Sequence, residues 1–137
     1  AYLLSWWQVI GNGHGCGLPL SALTETVRQT RNLVFLGVAR EDLPGGDTMP
    51  FSWDAGGVTE SGTVFADAAL AFVFPAEGRL NAAFWATPGS EYLLFRYMPF
   101  SSRAGMPDFL IWTAEGAQGS GFFDATWAVN PAFASGL

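Results

Sequence analysis

The stretch GTVFADAALAFVF, residues 62–74, followed after a short turn by LNAAFWAT, residues 80–87, decides the fold class. Side chains alternate between the two faces of a strand. On that period Val64, Ala66, Ala68, Leu70, Phe72 and Phe74 share one wholly apolar face. Phe65, Asp67, Ala69, Ala71 and Val73 share the other. In 80–87, Leu80, Ala82, Phe84 and Ala86 form an apolar face opposite Asn81, Ala83, Trp85 and Thr87.

The pattern extends outward. In 91–98, Leu93, Phe95 and Tyr97 oppose Tyr92, Leu94, Arg96 and Met98; in 122–129, Phe123, Ala125, Trp127 and Val129 oppose Phe122, Asp124, Thr126 and Ala128. Turn-forming runs punctuate the chain, among them Pro44-Gly45-Gly46-Asp47, Asp54-Ala55-Gly56-Gly57, Pro75-Ala76-Glu77-Gly78, Pro88-Gly89-Ser90 and the Gly-rich 116–121. Strands are therefore expected over 2–10, 33–39, 51–53, 62–74, 80–87, 91–98, 109–114 and 122–129. Leu20, Leu23 and Val27 stand at helical spacing, which predicts one short helix over 20–31. The expected fold is all-β, an antiparallel up-and-down barrel or otherwise a two-sheet sandwich of about eight strands. Residues 1–137 are read as one domain, with 130–137 an irregular tail.

Composition narrows the function. Half the chain is hydrophobic and 13% is charged, enough apolar material for a core. Twelve acidic residues face six basic ones, all Arg, for a net charge of −6. Nucleic-acid binding needs a basic stripe and is not expected. The absence of Lys excludes a Schiff-base or P-loop lysine. No apolar run reaches the roughly 18–20 residues of a membrane-spanning helix. The single Cys excludes an intrachain disulfide and a multi-cysteine metal site. The start at Ala1 fits a processed chain or simple loss of Met. Low charge suits an extracytoplasmic protein and equally a subunit within a larger assembly.

The opening stretch Leu4-Ser5-Trp6-Trp7-Gln8-Val9-Ile10 resembles the first strand of the lipocalin-like (calycin) barrels, in which a Gly-x-Trp motif precedes aromatic and aliphatic residues. Trp7 takes the tryptophan position, and Ser5 stands where that family has Gly. Gly78-Arg79-Leu80 to Phe84-Trp85, then Glu91 to Leu94, then Asp108 to Trp112 look like the family's successive hairpin strands. The resemblance implies a closed barrel with a ligand cavity.

The mixed strand faces carry one or two polar groups among aromatics. That is the lining of a small-molecule pocket, or of an exterior face covered by a partner. The expected ligand-binding set is Trp7, Phe65, Asn81, Trp85, Tyr92, Arg96 and Asp124, with Arg96 or Asn81 orienting a polar end. Asp67 shares the face with Asn81, Arg96 and Asp124; the plainer reading is a cross-strand salt bridge.

The loop Gly11-Asn12-Gly13-His14-Gly15-Cys16-Gly17 holds the only His and the only Cys. A Cys–His pair can serve as nucleophile and base, but two residues in a Gly-rich loop are not thereby aligned, and a flexible loop explains them. No catalytic residue, metal ligand or cofactor is assigned. Glu41, Asp42, Asp47, Asp54 and Glu60 read as a solvated acidic region, because the spacing of a calcium loop is absent. The expected function is non-enzymatic binding of a small apolar or aromatic ligand. The alternative is a structural or interaction subunit, or a homo-oligomer, whose aromatic surface is an interface.

Overall fold

The computed structural model describes residues 15–96 and 107–136. The strand expected over 2–10, with Trp7 in it, lies outside the described residues, as do His14, Tyr97 and Met98. The chain divides into two compact units, residues 1–31 and 32–137.

In the first unit a 3-10 turn, Leu20–Ala22, precedes helix α1, Glu25–Thr30. The helix expected over 20–31 is thus two pieces. Leu23 and Thr24 are extended, and Thr24 caps α1 by accepting from Val27 N. A threonine hydroxyl satisfies a free N–H at a helix start better than it extends a helix.

The second unit is mostly β and sandwich-like. One sheet has five strands in the order β1 (Val34–Leu36), β6 (Arg79–Ala86), β5 (Ala69–Ala76), β7 (Phe109–Thr113) and β8 (Gly116–Gly121). The other has three: β2 (Phe51–Asp54), β3 (Gly57–Glu60) and β4 (Thr63–Phe65). Among the described residues the two sheets stay separate and no barrel closes. Pairing is antiparallel except for β1, which runs parallel to β6. The hairpin β5–β6 turns through Glu77 and Gly78, both at positive φ (54° and 73°). That geometry matches the twist of the flanking strands.

The segment 62–74 is not one strand. β4 belongs to the small sheet and β5 to the large one, and the chain changes sheets at residues 66–68, where Asp67 takes φ 46°. Alternation had placed Asp67 on a strand face; it sits in the corner instead.

The strand expected at 91–98 is also replaced. Leu93 N bonds to Ser90 O and Leu94 N to Glu91 O, and helix α2 occupies Leu93–Arg96. Leu93 is fully buried and its carbonyl accepts from Trp112 Nε1 at 2.7 Å. A buried indole N–H needs such a partner, and a short helix over the outer face of the large sheet supplies it.

Over 122–129 a turn replaces the strand, with one bridge between Phe123 and Val129. The Gly-rich run read as a turn is strand β8. Its outer edge is shielded by the chain end: Ser120 and Ser135 exchange backbone bonds at 3.0 and 2.9 Å. An uncovered edge would be a template for pairing with another chain.

Register fixes which side chains meet. Leu70, Phe72 and Phe74 stand opposite Trp85, Ala83 and Asn81 of β6, and Leu70 and Phe72 opposite Ile111 and Phe109 of β7. This is the inner face. Phe51 and Trp53 of the small sheet pack on it, with ring centroids 5.5 Å (Phe51–Phe72), 5.1 Å (Phe51–Phe109) and 5.6 Å (Trp53–Phe72). Such separations suit tilted aromatic pairs. In β6 the mixed face therefore points to the core. Its apolar face, with Leu80, Ala82 and Phe84, points outward beside Val34 and Leu36 of β1.

Candidate functional site

A cleft of about 190 Å³ opens at one end of the sandwich. Its floor is Phe72 and Phe74 of β5, and Val73 and Pro75 form a flank. One wall is the loop carrying Pro44, Gly45, Thr48, Met49 and Pro50; the other carries Phe123, Thr126 and Trp127.

Each wall is held by a local device. Arg40 folds back into the first loop: Nε donates to Gly46 O at 2.9 Å, and Nη2 to Asp47 O and Met49 O at 3.2 and 3.3 Å. One guanidinium thereby ties down three carbonyls that the irregular backbone leaves without strand partners. Thr48 Oγ1 adds a bond to Gly45 O.

The second wall is organised by Asp124. Its Oδ1 accepts from Thr126 N (2.7 Å), Thr126 Oγ1 (2.7 Å) and Ala128 N (3.2 Å). Short acidic side chains commonly fold onto the backbone two residues on in this way. The turn holds Trp127 at φ 64°. For a bulky residue that left-handed backbone is strained by about 1–3 kcal/mol, and strain of this kind clusters at binding and catalytic sites. Trp127 remains 37% exposed, with its ring 5.9 Å from Phe123. Phe123 is fixed from behind by Phe109 at 5.6 Å and by its own N–H, which donates to Asp108 Oδ2 at 3.0 Å. The cleft is thus a rigid apolar notch with two hydroxyls at its rim.

The hydrogen bonds from Thr126 and Ala128 hold the Asp124 carboxyl below the usual aspartate range. A carboxylate with a depressed folded value supports the fold above its unfolded value and loses that support as pH falls through the folded one. The Trp127 turn should therefore stay intact down to pH below about 3.9 and loosen beneath it. A carbon-detected NMR titration of the Asp124 carboxyl checks this. A midpoint at or above the ordinary aspartate value would contradict the geometry.

The residues expected as a ligand set fall in separate places. Phe65 is half-buried at the end of β4. Asn81 is buried, and its Oδ1 accepts from Leu33 N at 2.9 Å, so it anchors the start of β1. Trp85 is half-buried beside Trp53 at 6.4 Å. Tyr92 is exposed ahead of α2, and Arg96 is the last residue of that helix. Asp124 is exposed in its turn. The shared mixed face of Asp67, Asn81, Arg96 and Asp124 does not form, because a corner, a strand, a helix and a turn carry them. Cys16 is exposed, with a free thiol. Among the described residues no three His, Cys, Asp or Glu side chains gather as metal ligands. No helix among them is long and apolar enough to cross a membrane.

Sequence reasoning placed Phe123 and Trp127 on one face but did not bring them to Phe74 and Met49. One signal was present: Asp124-Ala125-Thr126 is a side-chain-capped turn pattern. Searches of protein-family models, curated proteins and solved structures found no match.

Proposed function

We propose that this chain is a non-catalytic binding module that takes a small apolar or aromatic group in the cleft at the end of the sandwich. The observation that carries the reading is Trp127, a partly exposed ring held in strained backbone at the mouth of a notch floored by Phe72 and Phe74. The reading requires neither a closed barrel nor kinship with the lipocalin-like proteins. Burying a ring of about 150 Å² at about 25 cal/mol per Å² gives about 4 kcal/mol before association costs. That corresponds to a dissociation constant no tighter than about 1 mM for a lone ring.

The test is an amide chemical-shift titration with p-cresol. Shifts should concentrate at Thr48, Met49, Thr126 and Trp127. Trp127→Gly relieves the backbone strain while removing the ring, so it should weaken binding roughly tenfold with little loss of stability. Shifts scattered over the surface, or unchanged affinity in the variant, would refute the reading.

A second reading has its own observation. Val34, Leu36 and Leu80 are 54%, 49% and 50% exposed on the outer face of the large sheet. Adjoining apolar side chains left open in this way fit an interface of a larger assembly.

A further inference from the structure

We propose that residues 131–136 are an exchangeable strap: the same residues of a second copy take their place on the outer edge of β8, joining two chains by reciprocal strand exchange. The proposal does not depend on what the cleft binds.

The strap meets β8 through backbone and little else. Ser120 and Ser135 exchange N–H···O bonds at 3.0 and 2.9 Å, and their hydroxyls stand 3.1 Å apart. The pairing is one isolated bridge, not a ladder. Pro131, Ala132, Phe133, Ser135 and Gly136 are exposed and Ala134 is half-buried, so no side chain of the strap is anchored in the core. Segments with exposed backbone bonds and few buried contacts are the first to open.

The fit is nonetheless specific. Gly136 has φ 79°, and a methyl group there would collide with Gln118 O. One on Gly121 would stand 2.8 Å from Phe133 O and 2.9 Å from Ala134 Cα. The two backbones thus approach as only glycine permits. β8 itself, Gly116–Gly121, carries no charge and no Pro, two devices by which an edge strand resists pairing. The strap is what closes this edge. When it lifts, the segment that remakes every contact is the identical one of another copy, which is why such exchange is a low-cost route to dimers.

The hinge is Asn130–Pro131. Before it, the turn over 123–129 is fixed by Asp124, and Asn130 N donates to Phe122 O at 2.9 Å. After it, a turn draws the strap back: Asn130 Oδ1 accepts from Ala132 N at 3.1 Å and Asn130 O from Phe133 N at 3.0 Å. A residue before Pro prefers extended backbone, so opening this turn sends the strap outward. Phe123 and Trp127 lie ahead of the hinge, so exchange leaves that wall of the cleft in place.

A second copy also covers surface that one chain leaves bare. Ser120 and Ser135 face each other, which puts Phe122 and Phe133, two residues along each segment, on the same side. They are 47% and 66% exposed. Exchange brings the other copy's pair alongside, and contiguous apolar surface of this kind marks an interface. Neither β8 nor the strap is charged, and the acidic residues around them bond within their own turns: Asp108 with Phe123 N, Glu115 with Thr113, Asp124 with Thr126.

The test mixes two full chains in a Cys16→Ser background, one carrying Ser120→Cys and the other Ser135→Cys, in a glutathione redox buffer. The facing hydroxyls put the introduced sulfurs within disulfide reach. Exchange yields a covalent heterodimer at least roughly tenfold above the homodimer that either chain forms alone, because only the exchanged pair is held together. Its yield should rise with chain concentration. The double variant Ser120→Cys, Ser135→Cys, oxidised at low concentration, should instead close within one chain and stay monomeric. Gly136→Ala added to the Ser135→Cys chain should cut the heterodimer roughly tenfold, since the methyl group unseats the strap.

A heterodimer no more abundant than the homodimers is collision of exposed thiols and overturns the proposal. Excess homodimer from Ser120→Cys alone means that β8 edges pair directly, which also overturns exchange. So does a heterodimer indifferent to Gly136→Ala, because the strap is then not seated as in the monomer. An intrachain disulfide with no heterodimer at any concentration shows a fixed strap and overturns it as well.

Discussion

Replacing Phe51 with alanine should cost about 3–5 kcal/mol of stability, the range for truncating a buried phenylalanine. Phe51 is 1% exposed and, with Trp53, is one of the rings through which the small sheet meets the large one. It touches Phe72 at 5.5 Å, Phe109 at 5.1 Å and Phe123 at 6.1 Å. Alanine would leave a ring-sized hole among three aromatic side chains that belong to two strands and a turn. Their backbones are fixed by separate ladders, so the hole cannot close by a shift of one element, and large cavities are costly for that reason. Urea unfolding of Phe51→Ala beside Val64→Ala makes the comparison. Val64 is 62% exposed on β4, and its truncation should stay within about 0.5 kcal/mol of wild type. A Phe51→Ala loss below about 1 kcal/mol would mean that the two sheets do not share this core.

The inner face was legible where the chain is truly extended. Leu70, Phe72 and Phe74 were read as one apolar face and form the floor of the core. The strand 80–87 was placed within a residue of β6, but which of its two faces points inward was left open. Ala, Phe and Leu on one face look drier than Asn, Ala, Trp and Thr on the other. The wetter-looking face goes inward because its polar members are satisfied there: Asn81 by Leu33 N, and Thr87 by Ala68 O at 3.0 Å. Burial follows hydrogen-bond satisfaction as much as apolarity, and long-range partners such as these cannot be read from a local pattern.

The same limit explains the errors at 62–74, 91–98 and 122–129. Asp67 and Asp124 sit in perfect alternation with their neighbours, yet each lies where the chain turns. Alternation constrains which side chains would share a face if the segment were extended, and is silent on whether it is. β8 was missed for the opposite reason. Its Gly, Ala, Gln and Ser residues carry no strand propensity, and it exists because β7 and the docked chain end supply partners on both sides. The cleft was out of reach altogether. It joins the loop 44–50, the flank of β5 and the turn at 123–127, three segments brought together only by the packing of the sandwich.

Gly46→Ala should combine a loss of about 1–3 kcal/mol, the usual range for overpacking, with disruption of the binding site. Gly46 is buried, and a methyl group on it would stand 2.1 Å from the carbonyl oxygen of Arg40. That oxygen is backbone, so relief requires the loop to move. Movement separates Arg40 Nε from Gly46 O, the shortest of the three bonds by which the guanidinium fixes this wall. Thr48 and Met49, two and three residues on, line the cleft and should shift with it. Gly45→Ala is the discriminating control. Gly45 has φ 72°, yet the nearest atom to an added methyl is Thr48 Oγ1 at 3.7 Å, so the penalty there is backbone strain without a clash. It should cost about 1 kcal/mol and leave the Arg40 bonds in place. Thermal unfolding orders the two variants, and the p-cresol titration reads the cleft. Gly46→Ala should lose the localised shifts while Gly45→Ala keeps them. If both variants retained full cleft binding, the wall held by Arg40 would be irrelevant to the site, and the rigid notch would have to be built by Phe123 and Trp127 alone.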